Sequence, residues 1–204
     1  SKTLEQIIQN RRDVRGSQFL DKKISKECLN KILLAGINAP SVGFSQPWEF
    51  VIVEDSATKA AIKANFNDEN AKASKVFSAP KKDLYHQLKL EGIHEAPTNI
   101  AVFYKPSEGP VLGQNSMKEV GVYSVVCAIQ NMWLMARALN IGMGWVSIID
   151  AVQVKKILNA PEDNQLVAYL CLGHVDKFYE KPELETKQWE KRKQLDQLVF
   201  KESY

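Results

Sequence analysis

Cysteine is scarce in this sequence. The three that occur, Cys28, Cys127 and Cys171, are far apart, odd in number and set in apolar stretches, with no Cys-x-x-Cys spacing. This argues against a disulfide framework or a zinc ribbon, and predicts buried free thiols in a reducing, cytoplasmic setting. Histidine is equally sparse: His86, His94 and His174 form no His-Glu-x-x-His or other paired pattern, so no protein-held metal is expected. A Gly-x-Gly-x-x-Gly after a strand is missing. The nearest match, Gly142–Met143–Gly144, lacks the third glycine and runs into a strand, which argues against a Rossmann dinucleotide site. Charge of one sign is also lacking. The net charge is +3, and basic residues cluster only at Arg11–Arg12–Arg15, Lys81–Lys82 and Lys191–Arg192–Lys193, so no nucleic-acid partner is expected. Ser1–Asn10 is polar with helical spacing and reads as no leader. The longest apolar stretch, Val120–Leu139, is interrupted by Ser124, Gln130, Asn131 and Arg137; it predicts a buried helix and no membrane partner.

What remains is an ordinary globular composition over 204 residues, enough for one domain, 1–204, with a real core. Leu4, Ile7 and Ile8 space a short helix running into Arg11. Ser25 predicts an N-cap for a helix from Lys26 to about Gly36, broken by Ala39–Pro40–Ser41. Trp48–Val53 reads as a strand, and Asp55 as the cap of a helix through about Phe66. Residues 67–96 are charged and small, with an amphipathic patch at Leu84 and Leu88; they read as a surface excursion, a lid, with Leu84, Leu88 and Ile93 as its apolar contacts. Asn99–Tyr104 is a second strand. A long helix from about Val120 to Asn140, a strand over Gly142–Ile148, a helix capped by Asp150 and a buried strand over Leu166–Val175 complete a mixed α and β pattern.

Three constellations stand out. Arg11–Arg12–Asp13–Val14–Arg15 places three guanidiniums within five residues, each a planar fork of donors suited to a dianionic phosphate. Alone, it reads rather as a solvated charged helix end, with Asp13 only pairing an arginine, since short basic clusters are common on surfaces. Ala39–Pro40–Ser41–Val42–Gly43–Phe44–Ser45–Gln46–Pro47–Trp48 joins a helix to a strand, offering Ser41 and Gln46 as hydrogen-bonding groups; the alternative is an ordinary loop with Trp48 in the core. In Gly142–Met143–Gly144–Trp145–Val146–Ser147 the glycines let backbone N–H groups approach a planar ligand, with Ser147 nearby; the alternative is a bulged strand start and a satisfied core hydroxyl.

In this order, the three segments resemble the nitroreductase-like flavoproteins over nearly the whole chain, from Leu4 to about Phe200. The resemblance implies an α+β fold with a central, mostly antiparallel sheet flanked by helices. It also implies an intertwined homodimer with FMN at the dimer interface. Carried over by position, Arg11, Arg12 and Arg15 hold the phosphate and ribityl chain, Ser41, Gly144 and Trp145 border the flavin, and Arg192 adds a phosphate contact. Within the family, RRDVR (11–15), APSVGFSQPW (39–48), the stretch 123–148 and VAYLCLGHV (167–175) are most similar to the 5,6-dimethylbenzimidazole synthases. Ordinary nitroreductases carry Ser at the position of Asp13 and Asn at that of Phe44; the synthases carry Asp and Ser at the positions of Asp13 and Ser147.

That resemblance implies an unusual oxidoreductase reaction. Reduced FMN is fragmented with dioxygen to 5,6-dimethylbenzimidazole and erythrose 4-phosphate, supplying the lower ligand of cobalamin. Reduced FMN would come from outside, from a flavin reductase or another source. The C1′–C2′ bond of the ribityl chain must break, so a base or acid belongs near the sugar. Asp13 is the expected base, ionised by its positive neighbours, and Ser147 the group that orients Asp13, the peroxide or the flavin edge. The lid would keep dioxygen chemistry from bulk water, which otherwise yields hydrogen peroxide. The competing expectations are an NAD(P)H-dependent nitro or quinone reductase, in which FMN survives, and a flavin carrier or sensor without turnover.

Overall fold

The structure, a computed structural model, describes residues 3–204; Ser1 and Lys2, the first two residues of the polar start, lie outside the described residues. Thr3 opens helix α1 (Leu4–Asn10) with a reciprocal cap: its hydroxyl accepts from the Gln6 amide at 3.3 Å, and its own amide donates to Gln6 Oε1 at 3.0 Å. Ser25 caps α2 (Lys26–Ile37) as predicted, accepting from the Cys28 amide at 3.1 Å. β1 (Trp48–Val53) leads through the Asp55 cap into α3 (Ser56–Ala73). α4 (Lys81–His86), β2 (Thr98–Tyr104), α5 (Val120–Ala138) and β3 (Ile141–Val146) follow. α6 (Ala151–Ile157), capped by Asp150, β4 (Gln165–His174) and the short α7 (Glu183–Thr186) complete the order.

The four strands form one sheet in the order β1-β2-β4-β3, antiparallel throughout, with β2 and β4 central. Side chains alternate between its faces. Ile100 and Val102 of β2 with Leu170 and Leu172 of β4 meet Ile32 of α2 and Ile129 and Met132 of α5. Ala101, Phe103, Tyr169 and Cys171 point the other way, onto Ile62 and Phe66 of α3 and Val154 of α6. Burial on both faces explains why these central strands read as continuous apolar runs rather than alternating ones. The expected α+β architecture with a helix-flanked antiparallel sheet is therefore the observed one.

Several local expectations change. The helix after Asp55 continues seven residues beyond Phe66, to Ala73. Residues 67–96 are only partly a surface excursion. The stretch contains the end of α3 and all of α4, and Glu91, Gly92, Ile93 and Ala96 are buried. Ile93, expected as a lid contact, is in the core. Of the cysteines, only Cys171 is buried, its thiol pushed up to about 12 by desolvation; Cys127 is exposed on α5 and Cys28 is half-buried. Trp48 takes its core position. Among the described residues, no helix is long and apolar enough to cross a membrane.

Two features position the N-terminal arm. The first is the edge of β3, where Asp13 and Met143 form a parallel bridge and the Val14 amide donates to the Met143 carbonyl at 3.1 Å. A Cβ on Gly144 would collide with the Val14 carbonyl, and one on Gly142 would meet Val175 at 2.6 Å and Val14 at 3.0 Å. The glycines clear a path for the arm. The second is Glu91, with its side chain 1% exposed, paired to Lys63 at 2.5 Å and Lys89 at 2.7 Å, and accepting from the Ile93 amide at 2.8 Å. Burial opposes its ionisation, but these hydrogen bonds and charges outweigh it and hold the carboxyl below its ordinary value. Next to the side chain, the Glu91 carbonyl accepts from Gly16 N at 2.9 Å and the Leu90 carbonyl accepts from Arg15.

Gly144→Ala is expected to cost about 3 kcal/mol in chemical denaturation, because the clash is with backbone. Gly109→Ala, where a Cβ meets nothing within 4 Å, serves as the neutral control; equal stabilities would contradict this packing. Glu91→Gln is expected to lower stability by about 1–3 kcal/mol at neutral pH. Because the folded carboxyl lies below its unfolded value, that loss is complete above the unfolded pKa. It shrinks as pH falls through the lower folded one. Thermal midpoints across pH 3–7 give the curve, and a pH-independent difference would argue against the ion-paired role.

Candidate active site

The arm, α1, the 88–90 segment and the chain from Tyr179 to Leu184 enclose a cavity of about 730 Å³. Arg11, Arg12, Asp13, Arg15 and Arg192 all line it. α1 ends at Arg11, whose backbone turns extended, so successive arm residues face different ways. The Arg11 guanidinium lies over the Trp133 ring, 4.7 Å from its centroid, and makes no hydrogen bond among the described residues. Trp133 Nε1 in turn donates to the Arg12 carbonyl at 3.3 Å. Arg12 spends its terminal nitrogens on carbonyls: Nη1 donates to Gln9 at 2.9 Å and to Arg11 at 2.7 Å, and Nη2 to Glu180. Its Nε is buried without a partner.

Charge is crowded here. Burial lowers the Arg11 pKa against the pull of Asp13, and Arg192 lowers it further; burial, Arg11 and Arg192 lower that of Arg12. Guanidiniums stay protonated under such shifts. An anion in the cavity would offset this repulsion and the cost of burying the charges.

Arg15 is differently employed. Its Nε donates to Asp13 Oδ2 at 2.5 Å, its Nη1 to the Leu90 carbonyl, and its Nη2 to the Trp145 carbonyl at 3.4 Å. Asp13 Oδ1 accepts from the Trp145 amide at 3.1 Å. The carboxylate is thus held on both oxygens, by a guanidinium and by the edge of β3, with 34% of its side chain still accessible from the cavity. Low-dielectric walls matter more than its cationic neighbours: burial raises its pKa, and Arg15, the Trp145 amide and Arg11 only partly offset this. The expectation that positive neighbours dominate is reversed by desolvation. A carboxylate with a raised pKa is a stronger base.

The remaining sequence-derived residues lie apart from the cavity lining. The Cβ side of Gly144 faces Val14. The Trp145 N–H is committed to Asp13, so it is not the free backbone donor expected for a ligand edge. The Trp145 ring packs 6.5 Å from that of Trp133. Ser147, beyond the end of β3, is exposed and makes no hydrogen bond to Asp13; it is not a core hydroxyl. Ser41 is in a separate loop, where its Oγ accepts from the Gln46 amide at 3.1 Å. That loop holds Phe44 and Gln46 at positive φ, 52° and 48°, a costly conformation for residues with side chains. Phe44 is 80% exposed.

Sequence reasoning did not find Trp133, Gln130 or the 179–184 segment. Trp133 and Gln130 were hidden in an apolar helix read as core. The 179–184 segment follows the last strand with no pattern of its own. Among the described residues, no group of three or more His, Cys, Asp or Glu is placed to hold a metal ion.

The sequence profile of the nitroreductase family matches residues 8–174. The chain is 42% identical to the 5,6-dimethylbenzimidazole synthase of Rhodospirillum rubrum over 93% of its own length and 90% of that protein. It is 38% identical to the enzyme of the same name from Rhodobacter capsulatus, over 83% and 82%. The expected resemblance to those synthases is therefore observed. In three dimensions, the chain is similar to iodotyrosine deiodinase bound to FMN and 3-iodo-L-tyrosine, with a TM-score of 0.77 and 22% identity over 99% of this chain and 100% of that one. A BluB-like flavoprotein from Clostridium difficile 630 aligns over the whole of both chains with a TM-score of 0.74 and 19% identity. The profile match, the close synthase relatives and the shared fold agree: the chain belongs to the nitroreductase family.

Proposed function

We propose that this protein is a 5,6-dimethylbenzimidazole synthase, which uses dioxygen to fragment reduced FMN into 5,6-dimethylbenzimidazole and erythrose 4-phosphate, the former serving as the lower ligand of cobalamin. The observation that carries the reading is Asp13. It is a carboxylate at the position where ordinary relatives carry a serine, clamped by Arg15 and the Trp145 amide on the wall of an arginine-lined cavity. The 42% identity to a protein of that name over most of both chains supports it.

The donor set fits a flavin phosphate. Among the described residues, Arg11 has no hydrogen bond and Arg12 Nε is buried and unpartnered, and Arg192 shares the cavity, so several N–H groups are free for a dianion. FMN supplies the redox chemistry with dioxygen and is also what is consumed. Arg11, Arg12 and Arg192 bind its phosphate. Arg15, with most of its donors engaged, positions Asp13 and borders the ribityl chain. Asp13 accepts a proton from that chain through Oδ1, which keeps a lone pair beyond the bond from the Trp145 amide, while Oδ2 is gripped by Nε and Nη2 of Arg15. Ser147 follows the strand that holds Asp13 and orients the reacting end, while Gly144 and Trp145 support the flavin side through β3.

Ser41 is absent from the lining of its own chain's cavity and serves the partner's site in a homodimer. The surface for such pairing is visible. Tyr123, Val126, Cys127 and Gln130 of α5 are exposed at spacings of i, i+3, i+4 and i+7, and Gln130 reaches the cavity. Exposed Leu4 and Ile8 of α1 add apolar surface to this chain. The residues of 67–96 that border the cavity, Leu88 to Leu90, act as the lid that limits water. The protein receives reduced FMN from a separate reductase in the cytoplasm.

The decisive test loads the protein with FMN, reduces it without oxygen, then admits air. Dimethylbenzimidazole appearing as flavin disappears is the expected result. Intact oxidised FMN with peroxide would sink this reading in favour of a reductase using NAD(P)H. Asp13→Asn is expected to keep the fold and FMN binding but lose at least about 100-fold in product formation. In the parent protein, the acid limb of that rate should lie above the ordinary aspartate range, since the basic form is needed and its pKa is raised. Val126→Glu is expected to give monomers in sedimentation and weaker FMN binding; a variant that stays dimeric with unchanged affinity would move the interface elsewhere.

A further inference from the structure

Arg192 lines the cavity and bears electrostatically on Arg11 and Arg12, yet it belongs to a segment with little hold on the rest of the chain. Of residues 186–204, all but Trp189 are exposed. Trp189 is directed by the end of α7. Gln188 takes φ +58°, its amide donates to the Glu185 carbonyl at 3.0 Å, and the Trp189 amide donates to the Leu184 carbonyl at 2.8 Å. That is the paired-bond helix stop in which the second residue beyond the cap turns back toward the structure. Its ring lands on the region around α4. It meets Phe77 edge-on with centroids 5.1 Å apart, lies 6.3 Å from Tyr85, and carries Lys81 Nζ 5.2 Å above it. Phe77 also stacks on Tyr85 at 5.3 Å, and Tyr85, buried, bonds Asn70 of α3 at 2.6 Å through its hydroxyl. The path from α3 through the aromatic cluster to the tail is therefore continuous.

We infer that Trp189 is a positioning residue that clasps the α4 lid to the C-terminal tail, so that covering the cavity and presenting Arg192 to the ligand phosphate are one event. Both partners of the clasp lead to the cavity: α4 runs on to Leu88–Leu90, and the tail contributes Leu184 before the tryptophan and Arg192 after it. A phosphate drawing in Arg192 pulls Trp189 against Phe77 and Lys81, and a displaced lid removes the seat that holds Arg192 in place. The inference rests on the cavity being the flavin phosphate site.

A double-mutant cycle on FMN binding, read by calorimetry on the oxidised, dimeric protein, tests it. Trp189→Ala and Arg192→Ala are each expected to weaken binding about tenfold, and the double variant no more than the weaker single one, because the tryptophan acts through the arginine. Trp189→Phe, which keeps an aromatic face, should recover most of the affinity and shows that the chain still folds. Losses that multiply in the double variant, or full affinity in Trp189→Ala, would overturn the clasp. In the single-turnover reaction, Trp189→Ala should also shift the outcome from dimethylbenzimidazole toward peroxide. If the unaltered protein binds FMN but returns it intact, the synthase reading fails while the binding cycle still decides the clasp.

Discussion

The site depends on how the N-terminal arm crosses β3. Asp13 and Val14 run beside Met143 as an added piece of edge strand, and this approach is possible only because Gly142 and Gly144 carry no Cβ. Once the arm is seated, the Trp145 amide, left over at a sheet edge, is satisfied by the Asp13 carboxylate rather than by another strand. Arg15 then reaches back to the same carboxylate and forward to the Leu90 carbonyl. Backbone complementarity, a salt bridge and a loop carbonyl together over-determine where Asp13 sits. A group held this way is preorganised, and the cost of burying it is carried by the fold.

The arginines divide the work. They are close in sequence but unlike in setting: Arg11 is stacked on an indole, Arg12 is tied to backbone carbonyls, and Arg15 is committed mostly to a carboxylate and carbonyls. The first two retain the most donors for a ligand. A run of like charges within five residues is costly to hold at a cavity wall. The lowered pKa values of Arg11 and Arg12 express that cost, which a bound dianion would offset. Glu91 plays a structural counterpart behind the cavity lining, where two lysines hold its buried carboxylate and the backbone at 90–91 accepts from Arg15 and Gly16.

Much of this was legible in the chain itself. Caps at Ser25, Asp55 and Asp150 and the β-branched runs at 48–53 and 98–104 mark elements by local chemistry, because a cap side chain and a strand side chain act on their own backbone. The arginine triplet with its aspartate stood out for the same reason. Less visible was the burial of Glu91, Gly92, Ile93 and Ala96. Glu91 and its neighbours look like a solvated charged run, and only the lysines arriving from α3 and residue 89 make that burial affordable.

The sequence by itself determined the element types, the α+β class, the family and the presence of Asp13 among arginines. These depend on residue identity, on short-range spacing and on stretches that match relatives along the chain. Tertiary structure alone decided which arginines keep free donors and that Gly142 and Gly144 yield to the arm. It also decided that Asp13 has a raised pKa despite the nearby guanidiniums of Arg15 and Arg11, and that Trp189 meets Phe77 more than a hundred positions away. Each is set by what lies across the space beside a residue. Desolvation, steric clearance and ring contacts all depend on neighbours brought in from elsewhere in the chain, which no local pattern encodes.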